Sequence, residues 1–117
     1  MGAIAWIYPT EKKDILETNK KNDVMTQYSA RVGLELGADM VKIKNNATKE
    51  GLKRAIELAK PVKVVLAGGE KIDDKQFLEI TKQFIDIGGS GLIVGRNIWQ
   101  RNNAVEFSKQ IQRIILG

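Results

Sequence analysis

The chain contains no cysteine and no histidine. The first absence excludes disulfides and thiolate chemistry, and the second removes the usual metal ligand and the usual proton shuttle. Any chemistry must then come from Lys, Tyr, Arg, Asp or Glu. Long apolar runs are missing too. No stretch approaches the roughly 20 residues of a membrane span, and Met1 to Trp6 lacks the basic segment and long apolar core of a signal peptide. The expectation is a soluble, cytoplasmic protein with no membrane partner. At 117 residues the chain is expected to form a single domain over residues 1–117, large enough to bury a core and without a linker.

What is present is an ordinary balance of 43% hydrophobic and 28% charged residues, with a net charge of +5. That charge suits an anionic partner, either a phosphorylated metabolite or a nucleic acid. Lys12, Lys13, Lys20, Lys21, Lys49, Lys53, Arg54 and Lys60 are scattered among acids and are not interleaved with aromatics. No nucleic-acid partner is therefore expected.

Four short apolar runs stand out, Ala3 to Tyr8, Met40 to Lys44, Val62 to Leu66 and Gly91 to Val94, each followed by a segment of helical period. The first helix is expected to start near Asn22 or Asp23 as N-cap, to bury Met25, Tyr28, Val32 and Leu36, and to stop at Gly37. In the second, Thr48 is the cap, Leu52, Ala55, Ile56 and Ala59 recur at i, i+3, i+4 and i+7, and Pro61 closes it. In the third, Asp73 and Gln76 form a capping box, with Phe77, Ile80, Thr81 and Phe84 inward and Gly88-Gly89 at the end. The last runs from about Asn103, with Ala104, Phe107, Ser108, Ile111 and Ile115 inward. Short connections between alternating strands and helices imply parallel strands joined by right-handed crossovers. Residues 10–22 are the one long polar stretch and are expected to form a loop after the first strand.

Lys42 lies in the middle of an apolar run expected to be a buried strand. An ammonium in such a place is costly to keep, and a lysine that gives up its proton is a nucleophile suited to Schiff-base formation with a ketone. Strand alternation puts Trp6 and Tyr8 on one face of the first strand and Met40, Lys42 and Lys44 on one face of the second. These polar groups fall at the carboxyl ends, where βα sheets and barrels carry their ligands. Tyr8 is then a candidate proton donor or acceptor, and Trp6 a wall that excludes water. From the residues alone, an ordinary core aromatic is the plainer account of Trp6, and solvated strand-end ammoniums are the plainer account of Lys42 and Lys44. Two later strands end in small residues, Ala67-Gly68-Gly69 and Gly95-Arg96. Glycines let backbone N–H groups approach an oxyanion, and Arg96 can grip a phosphate bidentately. Arg96 to Arg101 is long enough for one short extra helix, and in barrels the last two loops with such a helix often form a phosphate site.

These residues resemble the archaeal-type class I fructose-bisphosphate aldolases, within the wider group of Schiff-base aldolases built on the TIM barrel. The shared stretches are Trp6-Ile7-Tyr8-Pro9, Leu34 to Asp39 leading into Val41-Lys42-Ile43-Lys44, Ala67-Gly68-Gly69 with Lys71, and Val94 to Arg101. The resemblance implies an α/β fold, the C-terminal half of a TIM (β/α)8 barrel, with four parallel strands equivalent to strands five to eight. It implies Lys42 as the Schiff-base lysine and Tyr8 as general acid/base with Trp6 beside it. Ala67, Gly68, Gly69, Gly95 and Arg96 would hold a substrate phosphate, and Lys44 is a secondary site residue. No metal or cofactor is implied. The activity would be reversible cleavage of fructose 1,6-bisphosphate, with a sugar phosphate as ligand. Alternatives are a related Schiff-base aldolase or transaldolase of aromatic-precursor synthesis, or a non-catalytic half-barrel subunit or remnant. The sequence departs from the family pattern at Thr10-Glu11, at Asn45-Asn46-Ala47-Thr48 after the lysine strand, and at Ala67, where a serine is frequent. A half-barrel leaves bare strand edges and an apolar inner face. The expected partner is a complementary N-terminal half-barrel or a second copy of the chain.

Overall fold

The computed structural model describes residues 1–8 and 18–117. Its elements alternate: β1 (Ile4–Trp6), α1 (Thr18–Glu35), β2 (Met40–Ile43), α2 (Lys49–Ala59), β3 (Lys63–Ala67), α3 (Asp74–Asp86), β4 (Gly91–Ile93), α4 (Arg96–Trp99) and α5 (Ala104–Leu116). The four strands form one sheet in the order β1-β2-β3-β4. Every pairing is parallel, as short βα connections require. The strands lie where the apolar runs put them, with ends shifted by one or two residues. Among the described residues, no helix is long and apolar enough to cross a membrane.

The register separates two faces. Val41, Ile43, Val64 and Leu66 are almost fully buried and join Ala30, Leu52, Ala55, Ile56, Ala59 and Phe84 in a core between sheet and helices. A second cluster of Phe77, Phe107 and Ile111 seals α3 against α5. Alternation sends the other set to the opposite face. There Trp6 pairs with Lys42, Lys42 with Val65, and Val65 with Gly91. This second face is uneven: Val65 is buried, Lys42 and Ile93 are half-buried, and Ile4 and Trp6 are 51% and 64% exposed. The Met40–Ile43 strand is therefore buried on one face only, which corrects the expectation of a strand buried throughout. Lys42 lies on the face opposite the one that α1, α2 and α3 pack against. Trp6 is correspondingly not a core aromatic.

The second and third helices follow the sequence closely. Thr48 Oγ1 accepts the Gly51 N–H at 3.1 Å, and the buried residues of α2 are Gly51 and the expected Leu52, Ala55, Ile56 and Ala59. Asp73 accepts the Gln76 N–H at 3.2 Å, opening α3 with Phe77, Thr81 and Phe84 buried. The first helix departs. It already includes Thr18 to Asn22, which were expected in the polar loop; the rest of that loop, residues 10–17, lies outside the described residues. Tyr28 and Leu36 were expected inside and are 63% and 74% exposed. The buried stripe is instead Thr26, Ser29, Ala30 and Gly33. Close approach explains the rotation. A Cβ at Gly33 would lie 2.7 Å from Val41 Cγ2, so α1 packs against β2 through its smallest residues and turns its larger ones outward.

Asp23 corrects a second expectation. It does not cap its own helix. Its carboxylate accepts the Thr48 N–H at 2.7 Å and the Thr48 hydroxyl at 2.6 Å, placing a negative charge at the N-terminus of α2, where the helix dipole favours it. With the 3.4 Å bond from Thr26 to Asn46, it ties α1 to the connection after β2.

Candidate active site

The carboxyl ends of the strands converge on a cleft of about 760 Å³, within the usual range for a small-molecule site. Tyr8, Lys42, Lys44, Ala67, Gly68, Gly69, Gly95 and Arg96 all line it. Of the residues singled out from the sequence, Trp6 alone is not in the lining. It contributes from beside, with Lys42 Nζ 3.9 Å from the centre of its ring. Lys42 Nζ is also 5.9 Å from the Tyr8 ring, and Lys44 Nζ is 5.0 Å from that ring. Adjacent parallel strands produce this grouping, because Trp6 and Lys42 are register partners and Tyr8 and Lys44 are the next residues on the same face.

The far side of the cleft is built from the β3–α3 and β4–α4 connections. Gly69 has φ +65°, a left-handed conformation that side chains disfavour. Gly68 packs so closely that an added Cβ would sit 2.6 Å from Val94 Cγ1. The short helix expected after β4 is α4, and it begins at Arg96. Among the described lining residues the cations are Lys42, Lys44 and Arg96 and the one acid is Glu70, a balance that favours an anion.

Several residues that shape the site were given no role in the reading of the sequence. Asn45 and Asn46 form part of the wall beyond β2, and Trp99 part of the wall near Gly95. Asn97 is completely buried and Arg101 is 6% exposed. Asn97 donates from Nδ2 to the carbonyls of Gly68 and Glu70, both at 2.8 Å, and accepts the Ile72 N–H at 3.0 Å. Asn97 lies within α4 and Arg101 two residues beyond its end, and their spacing of four, which lets Arg101 Nε reach the Asn97 carbonyl, was the available signal.

A family model described as DeoC/LacD family aldolase matches residues 1–101. The chain belongs to the DeoC/LacD aldolase family. It is 39% identical over 115 residues to the class 1 fructose-bisphosphate aldolase of Halobacterium salinarum, covering 98% of this chain and 43% of that protein. The corresponding enzyme of Thermoproteus tenax is 34% identical, with 97% and 43% covered. A 3-hydroxy-5-phosphonooxypentane-2,4-dione thiolase of Shigella flexneri is 36% identical over 74% of this chain and 33% of its own length. Among solved structures, an archaeal fructose-1,6-bisphosphate aldolase with its catalytic Lys bound to the carbinolamine intermediate superposes with a TM-score of 0.88. That pair is 31% identical, with all of this chain and 46% of the other covered.

The chain thus spans under half the length of the curated aldolases it matches. The resemblance read from the sequence holds. So does the fold class: four parallel strands with their helices form half of a TIM barrel, and the matched share fits the C-terminal half.

Proposed function

We propose that this chain carries the Schiff-base half of a class I fructose-bisphosphate aldolase site, with Lys42 as nucleophile. The observation that supports it is the placement of Lys42 Nζ against Trp6 and near Tyr8 in a cleft whose opposite wall is Gly68, Gly69, Gly95 and Arg96. The Lys42 amine attacks the ketone carbon of a ketose phosphate to give a carbinolamine, which loses water to form an iminium. That electron sink allows the bond between the third and fourth carbons to break. Tyr8 carries the proton released by the C4 hydroxyl to the enamine carbon, and water then hydrolyses the product iminium. Gly68, Gly69, Gly95 and Arg96 hold a phosphate, with Ala67 supporting the loop and Lys44 adding positive charge. The similarity to a thiolase named for a phosphorylated dione supports a phosphorylated ketone more strongly than any single sugar.

Catalysis on this reading requires the remainder of a barrel over the exposed inner face. A complementary N-terminal half is the expected source, and a cytoplasmic sugar phosphate the expected substrate. The test is borohydride reduction in the presence of dihydroxyacetone phosphate, with the N-terminal part of the Halobacterium salinarum relative supplied in trans. The expected result is a reduced substrate adduct located by peptide mass on Lys42 and lost in Lys42→Met. An adduct on a different lysine, or no adduct under conditions where the sugar phosphate binds, overturns the proposal.

A further inference from the structure

The β3–α3 connection is fastened from below by two buried polar side chains. Asn97 holds the carbonyls of Gly68 and Glu70 and the N–H of Ile72. Arg101 donates from Nη2 to the Ile72 carbonyl at 3.0 Å and from Nε to the Asn97 carbonyl at 2.7 Å. Its charge is met by Asp74 and by the Phe107 ring, whose centre is 4.0 Å from the guanidinium carbon. The Arg101 side chain is only 2% exposed, so it is not available to a ligand.

This fastening has a directional consequence. In a planar trans peptide, the C=O and the N–H of the next residue point in opposite directions. Asn97 draws the Gly68 and Glu70 carbonyls toward itself, which turns the N–H groups of Gly69 and Lys71 away from it. Among the described residues, neither of these N–H groups is bonded to a backbone carbonyl. Gly68, Gly69 and Glu70 line the cleft and Lys71 does not, so of the two amides it is that of Gly69 that is preset at the cleft wall for an anion. Because Asn97 follows Arg96 directly, the same residue locks the glycine loop to the arginine across the cleft.

We infer that Asn97 and Arg101 are positioning residues for phosphate recognition, holding the Gly69 amide in register with Arg96. The inference rests on the phosphate-binding role given to these loops above, and the test keeps the two apart. Inorganic phosphate is titrated into the full chain at constant ionic strength, followed by the amide resonances of Gly68, Gly69 and Lys71. In the parent these amides shift on binding, and Arg96→Ala weakens binding. Asn97→Ala and Arg101→Lys are expected to raise the Kd of the folded protein about tenfold or more, the scale of loss that misplaced contacts of this kind produce. A merely structural role lowers the unfolding midpoint and leaves that Kd at the parent value. Arg101→Lys keeps a charge beside Asp74 and loses the fork that bonds the Ile72 and Asn97 carbonyls, so it serves where Asn97→Ala does not fold.

If Arg96→Ala weakens phosphate binding while the folded Asn97 and Arg101 variants bind like the parent, the inference is wrong and the cradle stands. If the parent amides do not respond to phosphate, the cradle fails and the inference fails with it.

Discussion

Asp23→Ala is the most informative single perturbation of the fold, because Asp23 joins two elements far apart in sequence at the edge of the cleft. The half-buried carboxylate accepts from the Thr48 N–H and the Thr48 hydroxyl, and that hydroxyl in turn accepts from Gly51. Hydrogen bonds to a charged group contribute a net of about 1.5–3 kcal/mol each where they are well buried, and the charge at a helix N-terminus adds about 0.3–1 kcal/mol. Thr48 is itself only partly buried, so water recovers much of this. A net loss of about 2–3 kcal/mol is expected. For a chain of this length that lowers Tm by roughly 8–12 °C. Asp23→Asn retains an acceptor for the Thr48 N–H but leaves the hydroxyl proton without its carboxylate, and should cost about half as much. Urea unfolding followed by circular dichroism gives the global value, and amide exchange at Thr48 and Gly51 gives the local one. An Asp23→Ala variant within about 0.5 kcal/mol of the parent, or with unchanged protection at Thr48, would refute the reasoning.

Three other outcomes are expected. Gly33→Ala drives a methyl into Val41; overpacking of about 1–3 kcal/mol outweighs a helix-propensity gain of up to about 1 kcal/mol. Its urea midpoint should fall, and Val41→Ala should cost less in the Gly33→Ala background than in the parent; a Gly33→Ala chain more stable than the parent contradicts the close α1–β2 packing. Gly69→Val places a β-branched residue at φ +65°, costing about 1–2 kcal/mol, and should also weaken phosphate binding followed by the Lys71 amide. Unchanged affinity in that variant would separate the loop conformation from the ligand. The chain should associate as its concentration rises in sedimentation experiments, and Ile4→Glu should weaken that association about 30-fold if the roughly 2 kcal/mol of burying Ile4 is lost. A monodisperse monomer at every concentration tested removes the basis for this expectation.

Legibility in the sequence followed periodicity and end signals. α2 was legible almost residue for residue because Thr48, four apolar positions at helical spacing and Pro61 all agree. The strand-end glycines and Lys42 were legible because alternation and the carboxyl-end rule need no knowledge of partners. α1 was not, for a physical reason. Its buried stripe of Thr26, Ser29, Ala30 and Gly33 is chosen for close approach, and a reading that ranks residues by hydrophobicity turns that helix toward Tyr28 and Leu36. Asp23 was misassigned because N-cap residues were sought next to their own helix in sequence, while this one acts across space. Asn97 and Arg101 were passed over for the same reason: their role lies in backbone groups of another loop.

The exposed face of the sheet ties these observations to the chemistry. Lys42 is half-buried, and its neighbour Trp6 is 64% exposed. On the proposed reading, a Schiff base at Lys42 needs an amine free to attack and an iminium shielded long enough for the carbon–carbon bond to break, so turnover requires water to be kept from this face. The helices cannot do it, since they cover the Val41 and Val64 side of the sheet. What the chain supplies on its own is preorganisation: a lysine fixed on a central strand, a tyrosine two residues beyond the end of β1, and a glycine loop fastened by Asn97 and Arg101. On the proposed reading, the covering half contributes exclusion of water, whereas the geometry of attack and of phosphate recognition is already present in these four βα units. Replacing the covering half should therefore change the rate of iminium formation far more than the position of the adduct on Lys42.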